Sequence, residues 1–452
     1  MFFDPKREVE TMFSNKALKK LILPLIIEQI LIMAVGVADT VMVSYAGEVA
    51  ISGVGLVDMF NNLIITVLAA IDAGGAIIVS QYIGNKDRKN ANKASSQLLT
   101  ITIVIATVIM LGCLVFHRIL LSTFFGAIEM DVMKAATTYF LISAISFPFL
   151  GVYNSAAALY RSMEKTRTTM YVSILMNIIN VVGNYIGVFI LHAGVAGVAV
   201  PTLISRIVAA IIMFALSLNS SNLVYVKIKN VFAWNQEMIS RILKIAVPNG
   251  IENGLFTLGR VLVTSIVALF GTSQIAANSV AGSIDQIAVV VVNAINLGIV
   301  VVVGQCIGAN DYEQAKYYIK KLMKISYIVT GIIGSAVILL LPWILNLYSL
   351  SSEARNLTFI LVIMHNIMAT ALHPTAFVLP NGLRAAGDVK FSMVVGIVSM
   401  ILFRLGAAVL FGIIFNLGII GVWIAMGSDW LCRSVCFVIR FIKGKWRQFK
   451  VI

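Results

Sequence analysis

Gln81-Tyr-Ile-Gly-Asn-Lys-Asp87 recurs 224 residues later as Gln305-Cys-Ile-Gly-Ala-Asn-Asp311. At the same offset Lys20 falls on Lys244, Pro24 on Pro248, Glu28 on Glu252, Gly47 on Gly271 and Ala91 on Ala315, with no gap from Lys20 to Ala91. Further on, Arg161 falls on Arg384 after a one-residue slip, and Gly194 and Gly197 fall on Gly418 and Gly421. Chance does not hold a register over that distance, so the chain reads as two copies of one unit.

Each copy is too apolar for water. Of the 452 residues 60% are hydrophobic and 12% charged, and the mean hydropathy is +0.96. Soluble domains carry about a quarter charged residues, and no fold of this length hides such an apolar excess. A helix crosses hydrocarbon in about 20 residues. Twelve runs are long enough: 21–45, 51–83, 98–116, 135–159, 171–191, 195–218, 245–270, 275–307, 325–347, 357–379, 391–415 and 419–441. They lack period-two alternation, so helices are expected rather than a barrel. The fold class expected is therefore an all-α membrane protein of twelve transmembrane helices in two six-helix repeats. Six is even, so the repeats are parallel, related by an axis along the membrane normal. Residues 1–218 form the first lobe, 219–241 a cytoplasmic linker and 242–452 the second lobe. The first twenty residues are polar and precede a full-length span, so a cleaved signal is not expected.

The formal net charge is +14. Its placement gives topology, not nucleic-acid binding. Lys6, Arg7, Lys16, Lys19 and Lys20 precede the first run, and Lys86, Arg88, Lys89 and Lys93 follow the second. Every second connection continues this excess, while the opposite loops carry Arg118, Lys134 and Arg355. Positive-inside bias places both termini in the cytoplasm of a multi-pass inner (plasma) membrane protein. Cys113, Cys306, Cys432 and Cys436 all fall inside apolar runs and read as buried reduced thiols.

Ionisable groups at membrane depth usually face a cavity or a partner. Asp39 lies late in the first run, and its repeat position is Val263, so it belongs to the first lobe alone. It reads as a cation or proton site, the alternative being a carboxylate held for packing. Asn177, Asn180 and Asn184 lie on the fifth run, the last two on one face. Their amides can ligate sodium, bind substrate or join helices, and Thr202 can add an oxygen. Asp72, opposite Asn296 in the repeat, reads as part of a proton path or as a capped irregularity at Gly74-Gly75. Glu28 and Glu252 occur in both copies and read as scaffold or inner gate. Arg260, Arg404 and Asp285 belong to the second copy alone. They either neutralise one another or line a cavity. Asp429 and Arg433 are four apart and read as a local pair. His365 and His373 read as satisfied imidazoles, a proton relay being the alternative. Gly84 and Gly308 are expected to stop their helices through a left-handed turn.

These residues resemble the multidrug and toxic compound extrusion (MATE) family over nearly the whole chain. The resemblance is carried by Ala38-Asp-Thr-Val-Met42, by Gly74-Gly75 leading to Ser80-Gln-Tyr-Ile-Gly84, and by Ala276-Ala-Asn278 with Val303-Gly-Gln-Cys-Ile-Gly308. It continues through Leu383-Arg-Ala-Ala-Gly-Asp388 and Gly421-Val-Trp-Ile-Ala-Met426 with Asp429-Trp430. It implies two bundles around a V-shaped cleft, and a secondary antiporter exporting cationic or amphipathic organic compounds against H+ or Na+ by rocker-switch alternating access. It also implies a first-lobe cation site matched here by Asp39, Asn180, Asn184 and Thr202, and a conformational proline matched by Pro24, whose repeat mate is Pro248. Asp72, Asn177, Glu252, Arg260, Asp285 and Arg404 are the substrate or cavity candidates. Some branches carry an acid where Asn184 stands, and others carry second-lobe acids near Phe256 and Pro374. No tightly bound metal and no cofactor is expected beyond the coupling ion, with a possible Na+ at Asp39, Asn180 and Asn184. The expected partners are small organic substrates and the lipid bilayer, not nucleic acid, for a monomer without enzymatic activity. The rival reading is a flippase of lipid-linked cell-envelope precursors, whose pyrophosphate would meet Arg260 and Arg404.

Overall fold

The computed structural model describes residues 11–126, 129–348 and 350–452, apart from the side chain at 288. Lys6 and Arg7 lie outside the described residues. Twelve helices among them are long and apolar enough to cross a membrane. They are α1 (Asn15–Tyr45), α2 (Glu48–Gly84), α3 (Arg88–Phe125), α4 (Met130–Ser162), α5 (Thr166–Ile190), α6 (Ala196–Ser217), α7 (Gln236–Ala268), α8 (Thr272–Gly308), α9 (Tyr312–Leu345), α10 (Ser352–Ala385), α11 (Val389–Ile414) and α12 (Gly418–Ile442).

Most helices outrun their hydropathy runs, because caps rather than hydrocarbon set their ends. Asp87 Oδ1 accepts from Asn90 N at 3.0 Å, and its repeat mate Asp311 Oδ1 accepts from Gln314 N at 2.9 Å. That amide holds the Asp87 carboxyl, outside the spans, below the usual carboxylate range. Ser14, Asn235 and Ser351 cap α1, α7 and α10 in the same way.

One packing scheme appears twice. In the first bundle α1 packs on α5, α2 on α4, α4 on α6 and α5 on α6. In the second α7 packs on α11, α8 on α10, α10 on α12 and α11 on α12. Between bundles α1 meets α8, α2 meets α7, and α2 meets α8 on the pseudo-two-fold axis. These seams lie toward one end. Gly298 of α8 rests on Leu21, Ile22 and Leu25, and Gly74 of α2 on Ile242 and Ala246. Toward the other end Gly36, Gly55 and Gly282 have no such neighbour, and the bundles part into a V-shaped cleft. Phe13 and Trp446, near the two limits of the described residues, meet the start of α9 at the closed end. Phe13 N donates to Tyr318 Oη at 2.7 Å, and Trp446 lies 6.4 Å from Tyr312.

The repeated motif works differently from its sequence-based expectation. Gly84 and Gly308 do end α2 and α8, but neither turns left-handed. The positive φ values fall instead on Lys86 (58°) and Asn310 (57°). Glycine is needed because the two helices cross backbone to backbone. A Cβ on Gly84 would sit 2.7 Å from the Gln305 carbonyl carbon, and one on Gly308 2.6 Å from that of Gln81. Each glutamine then reaches past the crossing. Gln81 Nε2 donates to Ala385 O at 2.8 Å and Gln305 Nε2 to Ser162 O at 2.9 Å. Of the four free cysteines, Cys113 and Cys306 are buried, whereas Cys432 and Cys436 are only partly so.

Candidate functional site

Four side chains from three helices meet in the first bundle. Asn184 Nδ2 donates to Asp39 Oδ1 at 2.7 Å and, at 3.4 Å, to Asn180 Oδ1. Asn180 Nδ2 donates to Thr202 Oγ1 at 2.9 Å. A carboxylate only accepts, so the Asn184 nitrogen must face it. The amide oxygen of Asn184 is then left buried with no donor. No Lys, Arg or His among the described residues makes an ion pair with Asp39.

The same cluster contains residues that the sequence analysis passed over. Asp58 of α2 accepts from Asn61 Nδ2 at 3.3 Å and from Tyr139 Oη at 3.2 Å. Arg206 of α6 donates to Ser146 Oγ at 2.6 Å and lies within electrostatic reach of Asp39, Asp58 and Tyr139. The signal was available: at the repeat offset Asp58 falls on Gly282 and Arg206 on Trp430, so both charges belong to the first copy alone.

Two other candidates sit apart. Asp72 is buried against α4, where Ser155 Oγ donates to its Oδ1 at 2.6 Å. Its other oxygen has no partner. Asn177 is buried on α5, its amide nitrogen unpartnered. Pro24 and Pro248 lie inside α1 and α7, which run unbroken through them.

The second bundle holds a half-open cavity of about 420 Å3. Arg260, Asp285 and Arg404 line it, with His365, His373, Phe256, Phe377, Trp423 and Trp430. Asp285 Oδ1 lies 2.9 Å from His365 Nδ1. His373 stacks on Phe377 with ring centres 4.4 Å apart, and its Nδ1 has no partner. Both histidines are buried and line the cavity; His365 faces Asp285, whereas His373, expected as a satisfied imidazole, leaves Nδ1 without a partner. Arg404 lies 3.7 Å from Asp429, which holds Arg433 at 2.9 Å.

Glu252 lies beneath this cavity in a buried ion pair with Arg384 at 2.6 Å. Its repeat mate Glu28 pairs with Arg161 at 3.2 Å. The two pairs occupy equivalent places and tie the start of each lobe to the end of its fourth helix. Arg384 belongs to Leu383-Arg-Ala-Ala-Gly-Asp388, where four functions converge. Arg384 holds Glu252 and Ala385 O receives Gln81. Gly387 turns with φ +97°, and Asp388 accepts two bonds from Arg440, at 2.7 and 3.1 Å. Among the described residues no three His, Cys, Asp or Glu side chains group as a metal site.

Known proteins share this plan. The model of the MatE family matches residues 24–186 and 248–422, the two repeats. The chain belongs to the MATE family. It is 28% identical to an uncharacterized transporter, YisQ, of Bacillus subtilis, over 97% of this chain and 99% of that protein. It is 25% identical to the probable multidrug resistance protein NorM of Thermotoga maritima, over 99% of this chain and 96% of that one. A solved outward-facing conformation of a multidrug resistance MATE family transporter superposes with a TM-score of 0.88 at 20% identity, covering 96% of this chain and 95% of that one. The chain is thus a multi-pass membrane transporter related to efflux proteins.

Proposed function

We propose that this MATE transporter is a secondary antiporter that exports amphipathic organic compounds in exchange for H+ or Na+ taken up at Asp39. The observation that carries the reading is the Asp39 carboxylate itself: set in a membrane helix, held by one amide, and in no ion pair among the described residues. The neighbouring buried oxygen of Asn184 gives a small cation a second ligand. Counting Asp39 and Asp58 against Arg206 leaves one negative charge in the cluster, enough for one monovalent cation or proton. Asp58 thereby supplies an acid that Asn184 lacks.

With both termini in the cytoplasm, as the loop charges indicate, the closed end faces inward and the cleft opens outward. An ion entering from outside neutralises the cluster and favours release of cargo. Closure of the outer end then returns the ion to the cytoplasm. Such coupling requires each ligand to bind the two states with different affinity. The test is efflux of a dye panel from proteoliposomes under imposed pH or Na+ gradients. Asp39→Asn is expected to abolish gradient-driven efflux; full efflux in that variant would remove Asp39 as the coupling site.

A further inference from the structure

The two bundles leave different sets of buried polar atoms unmatched. Around Asp39 and Asp58 the buried polar atoms without a partner are oxygens, Asn61 Oδ1 and Asn184 Oδ1. Both are fixed as oxygens, because each amide nitrogen faces a carboxylate. Around the second-bundle cavity they include the nitrogens Arg404 Nε and Nη1, Trp430 Nε1, and His365 and His373 Nδ1, beside the oxygens Asp285 Oδ1, Asn296 Oδ1 and Asp429 Oδ2. The first two side chains can only donate. Asp285 faces His365 at 2.9 Å, and Asp429 holds Arg433 at 2.9 Å while lying 3.7 Å from Arg404. Arg260 adds a guanidinium that makes no ion pair or hydrogen bond among the described residues and lies within electrostatic reach of Arg404. Two like charges lining one cavity repel, and a shared anion offsets that repulsion with charge-assisted hydrogen bonds.

We infer that this cavity is the cargo site for an amphipathic organic anion. Its carboxylate, sulfonate or phosphate group sits between Arg260 and Arg404. Its apolar body lies against Phe256, Phe377, Trp423 and Trp430. A volume of about 420 Å3 is within the range that encloses drug-sized molecules. The assignment deepens the export reading, on which it rests for direction of transport but not for binding. It departs from the cationic cargo that the family resemblance implies. The anionic group could belong to a free compound or to the head of a lipid-linked one, and the two share this chemistry.

The test is fluorescence anisotropy with the full-length protein in phosphatidylcholine nanodiscs, with no ion gradient. Fluorescein serves as the free anion, ethidium as a planar cation and farnesyl pyrophosphate as an unlabelled lipid-tailed competitor. Fluorescein is expected to bind at least tenfold tighter than ethidium. Arg260→Gln and Arg404→Gln are each expected to weaken fluorescein tenfold or more and leave ethidium unchanged. Arg260 has no partner to lose, so its variant keeps the test open if Arg404→Gln misfolds. Displacement by farnesyl pyrophosphate at lower concentration than unlabelled fluorescein assigns the site to lipid-linked anions, and the reverse order to free ones. Ethidium binding as tightly as fluorescein, or wild-type fluorescein affinity in a folded Arg260→Gln protein, overturns the inference. Loss of driven efflux in Asp39→Asn tests the coupling site, whereas fluorescein affinity of Arg260→Gln, measured with no ion gradient, tests the anion site. Failure of coupling and failure of the anion site are thereby separated.

Discussion

A methyl group on Gly84 should prise the closed end apart. The Cβ of Gly84→Ala would lie 2.7 Å from the Gln305 carbonyl carbon and 2.8 Å from its Cα. Carbon atoms rest at roughly 3.5–4.0 Å, so the bundles must retreat by about 1 Å along the whole crossing. Backbone stands on both sides, and no side chain can swing away. Forcing an extra methyl into a packed seam costs about 1–3 kcal/mol. The same retreat stretches Gln81–Ala385 from 2.8 Å and Gln305–Ser162 from 2.9 Å past useful length, at about 1 kcal/mol each. A total of about 3–5 kcal/mol moves the balance of closed and open states at least a hundredfold, at about 1.4 kcal/mol per decade. Spin labels on Lys86→Cys and Asn310→Cys, in a protein whose four native cysteines are replaced, report this end by pulsed dipolar spectroscopy. The parent should give one short distance, and Gly84→Ala should add a longer population. An unchanged distribution in a folded variant would refute the crossing as the element that holds the bundles together.

Other consequences are equally accessible. Asn184→Asp places a second carboxylate against Asp39, and the half-saturating Na+ or H+ concentration for efflux should fall by roughly tenfold; an unaltered ion dependence would take Asn184 out of the ion site. Arg161→Ala strands buried Glu28 and should destabilise by about 3–5 kcal/mol, seen as a lowered Tm, while Arg161→Ala with Glu28→Gln should recover most of the loss. If single and double variants melt alike, that pair does not bind the lobe together. Gly387→Ala forces a side chain to φ +97° and against Phe449, 3.2 Å from the new Cβ. A loss of about 1–2 kcal/mol and easier proteolysis of the C-terminal segment are expected.

What the sequence made legible was whatever a single helix records about itself. Hydropathy counts membrane crossings because each span meets lipid independently of its neighbours. The repeat likewise located equivalent helices, and with them the paired placements of Glu28 and Glu252. Asp39 stood out because its mate is Val263. Asp58 meets the same criterion against Gly282. Other features were beyond local reading. Asp285 and His365 lie 2.9 Å apart but on helices distant in sequence, so nothing near either one announces the other. Gly84 looked like a helix stop because local propensity is all that a segment displays. Its real constraint is the backbone of the opposite bundle, and no window around residue 84 contains that. The cavity was illegible for a related reason: residues of α7, α8, α10, α11 and α12 line it, and its two guanidiniums, Arg260 and Arg404, come together only when these helices converge.

The crossed glutamines are symmetric in space but not in time. Gln305 reaches back to Ser162, which the ribosome has already delivered. Gln81 must wait for Ala385, 304 residues later, or about 15–60 s at 5–20 residues per second. During that interval the newly inserted first bundle keeps its glutamine amide in water, with a bare glycine track beside it. The second bundle emerges onto a partner already standing. Biogenesis therefore has a direction that the finished protein conceals, and a defect at Gln81 would be felt while the nascent chain is still half made.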